Sequence, residues 1–166
     1  MSKKAKKERS WKREVFSWIL CIIITIGLTE VITNFVIINA NIPSGSMENT
    51  IMTGDKLIAL RTAYWFNDPE RGDIIIFEYP DNEEEWFIKR VIALPGETVE
   101  VRDGKVYINN STPPLDEPYI KEEPVEDFGP YTVPKDGYFV MGDNRNNSND
   151  ARDWQTHYVR RDEILG

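Results

Sequence analysis

The 166-residue chain has one cysteine, one histidine and no long amphipathic helical pattern, and each shortage narrows what it can do. Cys21 lies inside an apolar run, so no intrachain disulfide, catalytic cysteine pair or cysteine-rich zinc site can form. His157 stands near the C-terminus, which weakens a metal reading and leaves no attractive His–Asp pair to activate a hydroxyl. No metal and no cofactor is expected. Beyond the first residues basic charge is outweighed by acidic charge. Residues 1–14 hold Lys3, Lys4, Lys6, Lys7, Arg9, Lys12 and Arg13 against Glu8 and Glu14, a net of +5, so the remainder carries about −13 of the total −8. An acidic body argues against nucleic acid as a partner, because phosphate binding needs lysine and arginine gathered on a face. The basic head suits membrane lipid instead.

What is present begins with a hydrophobic stretch. Residues 15–38, VFSWILCIIITIGLTEVITNFVII, are mostly apolar, and a helix of that length reaches roughly 36 Å, enough to span a bilayer. With the basic flank first, the positive-inside rule puts residues 1–14 in the cytoplasm and residues 39–166 outside. Two other readings compete: a cleaved secretory signal, with Asn39-Ala40 as a small-residue cleavage point, or a buried core helix interrupted by Glu30. A retained single-pass anchor is the expectation, since the apolar pattern resumes after Glu30 and a carboxylate near the outer interface is tolerable.

After Ala40 the pattern changes to short β-rich runs punctuated by Gly, Pro, Asn and Asp, which reads as one mainly β, antiparallel domain. Strands are expected at residues 56–60, 73–79, 86–94 and 138–141. Residues 98–109 alternate on either side of Asp103-Gly104, a dipeptide suited to a type I′ hairpin turn. Residues 111–134 are proline-rich and acidic, and read as a long surface excursion without an assigned role.

Three clusters are able to carry chemistry. Pro43-Ser44-Gly45-Ser46-Met47 places a Gly-flanked serine at a tight bend, where its hydroxyl can be exposed and backbone amides can converge. Taken alone it is equally a linker turn. A serine nucleophile needs a base, and without a suitable histidine the candidate is lysine. Free lysine, with a pKa near 10.4, is only about 0.1% neutral at pH 7.4 and must lose about 2 to 3 units through desolvation. Lys89, within Phe87-Ile88-Lys89-Arg90-Val91-Ile92, can meet an apolar wall on a strand, or can simply be an exposed strand lysine. The third cluster, residues 142–152 (GDNRNNSNDAR), is dense in groups that bond to backbone. Calcium is disfavoured there, because no bidentate Glu closes the loop and two arginines would repel a cation.

These clusters, together with RGDIIIF at residues 71–77 and KRVIALPGE at residues 89–97, occur in the order and approximate spacing of type I signal peptidases, which the chain resembles from its apolar segment to its last residues. The resemblance implies an antiparallel β-sheet catalytic domain of signal peptidase type behind one transmembrane helix. It implies a serine endopeptidase acting on signal-peptide-bearing precursor proteins, with Ser46 as nucleophile and Lys89 as general base. Ser148 would orient the lysine amine, and the Ser44 hydroxyl with the Ser46 amide would form the oxyanion hole. Arg90, Asp143, Asp150 and Arg152 would be structural ion-pair partners. Small substrate residues would enter shallow apolar pockets lined by Ile42, Met47, Ile51, Ile76, Phe87 and Ile88.

The sequence departs from the family pattern at Asn49 (usually proline), Asn146 (Asp), Ala151 (Ser) and Gln155 (Gly), none of which removes a proposed catalytic group. It ends at Gly166, where relatives generally continue with a basic residue and a terminal strand, so the expectation is either a fragment or a shortened member. The same Ser–Lys pairing occurs in self-cleaving repressors, against which the apolar segment and the lack of a DNA-binding module argue. From a different class, an inactive membrane-tethered β domain that binds extracellular peptides or partners is the alternative.

Overall fold

The computed structural model describes the backbone from residue 3 and the side chains from residue 11, so most side chains of the basic head lie outside the described residues. A long helix, α1 (Lys3–Val31), is continued by a π-helical turn over Ile32–Val36. Its stretch Trp11–Val36 is long and apolar enough to cross a membrane and turns its side chains outward, away from the protein. The threonines within it bond to themselves: Thr25, Thr29 and Thr33 hydroxyls donate to carbonyls four residues back at 2.8–2.9 Å, which keeps polar groups satisfied in an apolar helix. The helical path stops two residues short of the expected boundary. Ile37 is extended (φ −119°, ψ 153°) and opens β1 (Ile37–Asn41), whose Ile38 is buried. Two β-branched residues that read as the end of the apolar run therefore start the β domain.

Among the described residues, β1 is the first of nine strands in three antiparallel sheets. β1 pairs with β2 (Lys56–Leu60). β3 (Ile74–Tyr79), β4 (Asn82–Ala93), β8 (Gly137–Met141) and β9 (Val159–Arg160) form the central sheet in the order β3-β4-β8-β9. β5 (Thr98–Arg102), β6 (Lys105–Ile108) and β7 (Phe128–Thr132) form the third, ordered β6-β5-β7. The latter two sheets share one core, including Phe77, Val91, Phe139 and Met141 from the central sheet with Val99, Val101 and Val106 from the third. Trp154 closes it, with ring centroids 5.8 Å from Phe77 and 5.2 Å from Tyr79.

The Asp103-Gly104 hairpin forms as expected, with φ of 49° and 74° at the two residues, the signature a type I′ turn requires. Two expectations need correction. β4 begins at Asn82, not Trp86, because Tyr79 pairs with Asn82 across a tight turn and extends the hairpin. The excursion at residues 111–134 is not structureless: it contains β7, which pairs along β5 through Thr98–Thr132, Val99–Tyr131 and Val101–Phe128. Its Gly-Pro core made an edge strand read as a turn.

β4 positions the site. Its N-terminal half is exposed and its C-terminal half buried, and it pairs with β3 along most of its length but with β8 only from Arg90 onward. Residues 85–89 therefore present one unpaired edge, while β1 pairs only with β2.

Candidate active site

Ser46 sits just beyond β1 on a compact turn. Glu48 N–H donates to Gly45 O at 3.1 Å and Ile51 N–H to Met47 O at 2.8 Å, while Ile42 and Gly54 close the base of the loop (Ile42 N–H to Asp55 O, 3.0 Å; Gly54 N–H to Ile42 O, 2.8 Å). Met47, fully buried, plugs a small core with Ile42 and Ile51 against Leu57, Ile74 and Ile88. Anchoring Met47 inward fixes where its neighbour Ser46 points. The Ser46 side chain faces Lys89 of β4, whose Nζ donates to Ser46 Oγ at 2.9 Å. The Ser44 hydroxyl lies 3.4 Å from the same oxygen.

Lys89 is 4% exposed and stands opposite Ile75 in the β3–β4 register, with Nζ 5.1 Å from the Phe87 ring centroid. Burial penalises its charged form and pushes its pKa down to about 8, against an opposing upward pull from Asp150. At pH 7.4 roughly 20% of such a lysine is neutral, against about 0.1% of a free one. An amine in that state, hydrogen-bonded to a serine hydroxyl, is able to accept its proton.

The loop after β8 is sewn onto the serine turn. Asn144 N–H donates to Ser46 O at 3.0 Å and Asn144 Nδ2 to Gly45 O at 2.9 Å. Buried ion pairs hold this loop: Arg90 grips Asp143 through Nε (2.8 Å) and Nη2 (2.7 Å), and Arg152 grips Asp150 through Nε and Nη2, both at 2.9 Å. Asp143 also accepts from Thr50 Oγ1 at 2.5 Å, and Asp150 from Gly142 N–H at 3.0 Å. The four expected ion-pair residues are thus two bidentate pairs.

A third pair was not foreseen. Arg145, fully buried, is held by Glu117 at 2.5 and 3.0 Å, and its Nε donates to Gly142 O at 3.0 Å. Tyr119 donates to Glu117 at 2.9 Å and lies under the Arg90 guanidinium, 3.9 Å from ring centroid to Cζ. Asn49 donates to Tyr119 O at 3.0 Å, and Lys121 pairs with Glu48 at 2.8 Å. The excursion at residues 111–134, which had no assigned role, straps both flanks of the serine–lysine pair. Arg145 lay in a cluster already singled out, but Glu117 is separated from it by 28 residues and carries no local pattern.

Ser148 lines the same cleft as Ser46 and Lys89, but its hydroxyl is buried without a hydrogen-bond partner. The expected bond to the lysine amine is not made. Ser148 instead packs over Gly142, where an added Cβ would lie 2.2 Å from Ser148 Oγ and 2.4 Å from Ser46 O. Only glycine leaves room for the loop to close on the serine turn.

The cleft, about 980 Å³, runs between residues 39–44 and residues 85–89, the two unpaired strand edges. Ile42, Ile76, Phe87 and Ile88 line it as expected. Met47 and Ile51 do not. Their side chains belong to the small core beneath the turn, because anchoring the serine turn requires them inside it. Among the described residues no group of acidic, histidine or cysteine side chains is arranged to hold a metal.

The comparisons agree with this architecture. Residues 15–166 match the family model described as signal peptidase, peptidase S26. Signal peptidase I of Leptolyngbya laminosa is 46% identical, covering 86% of this chain and 73% of its own length. Probable signal peptidase I-2 of a Synechocystis species is 41% identical over 99% of this chain and 74% of its own. Signal peptidase I of Bacillus amyloliquefaciens is 36% identical, covering 90% and 84%. A crystal structure of a signal peptidase I from Enterococcus faecalis, 37% identical, superposes with a TM-score of 0.52 over 60% of this chain and 96% of that one. With a family match across nearly its whole length, the chain belongs to the signal peptidase family, peptidase S26.

Proposed function

We propose that this chain is a membrane-anchored serine endopeptidase that cleaves signal peptides from secretory precursors, with Ser46 as nucleophile and Lys89 as general base. One observation carries the reading: a lysine amine, buried and with its pKa lowered to about 8, bonded at 2.9 Å to a serine hydroxyl at the floor of a long cleft. Neutral Lys89 takes the Ser46 proton as Oγ attacks the scissile carbonyl, and the resulting ammonium protonates the leaving amine. The acyl ester is then hydrolysed by water that Lys89 deprotonates. The Ser44 hydroxyl, beside Ser46 Oγ, and the Ser46 amide supply the oxyanion donors.

The substrate lies extended between β1 and β4, completing their free edges, and alternate side chains enter the apolar walls at Ile42, Ile76, Phe87 and Ile88. The apolar helix Trp11–Val36 spans the bilayer with the basic head inside and the acidic body outside, so the cleft opens a few residues from the outer surface.

The test is cleavage of a secretory precursor by the detergent-solubilised full chain, beside Ser46→Ala and Lys89→Ala. Each substitution is expected to lower kcat by at least about 10³-fold. For the wild type, kcat/KM rises with pH through an apparent pKa of about 8. Wild type no faster than the variants would leave a peptide-binding domain as the reading. A rate that climbs only above pH 10 would exclude a desolvated lysine base.

A further inference from the structure

The acidic body contains eight arginines, and seven of them pair with carboxylates: Arg71, Arg90, Arg102, Arg145, Arg152, Arg160 and Arg161. Arg61 is the exception. Its Nε is buried without a hydrogen-bond partner, and its guanidinium lies 5.7 Å from the Trp86 ring centroid. The residue as a whole is only partly buried, and no ion pair occupies it, so the outer nitrogens of its guanidinium, unlike Nε, are open to an acceptor supplied from outside the chain.

The location says what kind. The backbone N–H of Arg61 donates to Val36 O at 2.9 Å, which fastens the end of β2 to the last residue of the apolar helical segment. Beside it is a cleft of about 340 Å³ whose lining includes Asn34, Phe35, Arg61, Trp65, Ile164 and Leu165. The surroundings are exposed and apolar: Trp65 is 60% and Phe66 91% exposed, and Phe35, Ile58 and Leu60 also face outward. Exposed tryptophan and phenylalanine at the end of a membrane-length helix mark the headgroup level of a bilayer. Of the side-chain carboxylates nearby, Asp68 pairs with Arg161 and Glu30 accepts from Asn34 Nδ2, while the backbone of Gly166, which packs on Leu60 and Arg61, accepts from Ile76 N–H.

We propose that this cleft is a binding site for a glycerophospholipid of the outer membrane leaflet, with its phosphodiester on the Arg61 guanidinium and its glycerol and upper acyl carbons along Phe35, Trp65, Ile164 and Leu165. Arginine suits the task because its planar donors match two phosphate oxygens at once. The lipid would fix the β domain against the membrane at the base of β1 and β2, the hairpin that leads into the Ser46 turn. The proposal rests on the anchored reading of α1 and is independent of the proposed cleavage chemistry.

The experiment is native mass spectrometry of the full chain in a phosphate-free alkyl glycoside detergent, titrated with dioleoyl phosphatidylglycerol, dioleoylglycerol or inorganic phosphate. The wild type is expected to retain one phospholipid, with dioleoylglycerol and inorganic phosphate each at least about 10-fold weaker, as loss of a charge-assisted bond implies. Arg61→Gln should weaken phospholipid retention by about 10-fold, and Arg61→Lys by less, since charge remains and the fork is lost. Equal retention by wild type and Arg61→Gln would refute the site. So would inorganic phosphate that competes as well as the lipid, which would make the ligand a free anion. The ligand comparison needs no variant, so it stands even where a substitution perturbs folding. Alkaline carbonate extraction of membranes separates the two readings. A chain that washes off loses its anchor, whereas an integral chain with Arg61-independent lipid retention loses only this site.

Discussion

Replacing Lys89 with methionine should abolish cleavage and at the same time stabilise the fold at neutral pH. The lysine is 4% exposed and its pKa falls from 10.5 to about 8, a displacement of about 2.5 units, worth about 3 kcal/mol at roughly 1.4 kcal/mol per unit. That is the cost of holding the ammonium folded rather than in water. Methionine fills a similar volume without the charge, and forfeits the bond to Ser46 Oγ, a loss of about 1 kcal/mol. The net gain is about 2 kcal/mol, or roughly 6 °C in Tm for a domain of this size. The sign is checked by its pH dependence. Below about pH 8 folded and unfolded lysine are both protonated, and the wild type bears the full cost. Between about 8 and 10.5 the unfolded chain binds the extra proton, so wild-type stability rises with pH, and above 10.5 the cost is gone. Guanidinium unfolding of the two solubilised proteins at pH 6, 8 and 10, followed by tryptophan fluorescence, measures the difference, in which other titrating groups cancel. The methionine advantage should be largest at pH 6 and shrink through pH 8 to 10. A difference that stays constant across that range, or a less stable variant at pH 6, would refute a desolvated lysine.

Two further outcomes follow from the loop that closes on the serine turn. Gly142→Ala puts a methyl 2.2 Å from Ser148 Oγ and 2.4 Å from Ser46 O, so it should destabilise by about 1 to 3 kcal/mol and lower kcat, with chemical unfolding and precursor cleavage as the measurements. Glu117→Leu strands the fully buried Arg145 and should cost about 3 to 5 kcal/mol in unfolding free energy, most of it recovered in Glu117→Leu/Arg145→Met.

The parts of the fold that follow from short-range rules were legible in the sequence. Alternation around Asp103-Gly104 requires a hairpin whatever surrounds it, and the apolar run of residues 15–38 requires a helix until tertiary pairing intervenes. That intervention set the errors. Ile37 and Ile38 suit helix and strand alike, and only the partner β2 decides for a strand, so the boundary could not be read locally. β7 contains Gly129-Pro130, and its strand character comes from β5 lying alongside. The same division holds at the candidate site. Ser46, Lys89 and their two flanking ion pairs were reached through ordered motifs. Met47 and Ile51, apolar and next to the serine, read as pocket walls, because hydrophobicity does not say which side of a turn a side chain takes. Glu117 was missed because its meaning lies in Arg145, far along the chain.

The arrangement of those charges bears on whether the proposed lysine base can lose its proton. Asp150 is the carboxylate whose charge favours protonated Lys89, and it opposes the desolvation that lowers the lysine's pKa. Asp150 is clasped at two oxygens by Arg152, and the carboxylates elsewhere on the same loop and strap are clasped likewise, Asp143 by Arg90 and Glu117 by Arg145. An ion pair with closely apposed charges leaves a dipolar field that decays faster than that of a bare carboxylate, so desolvation decides the lysine's pKa. Arginine is the residue able to do this, since it stays charged when buried, whereas a lysine in its place would titrate with its surroundings. The loop of residues 142–152 and the strap at residues 117–121 thus act on the proposed base without touching it. They fix the serine turn through Asn144 and keep negative charge from reaching the amine. The Arg152 clasp on Asp150 is thus part of what would let the amine of Lys89 serve as the proposed base.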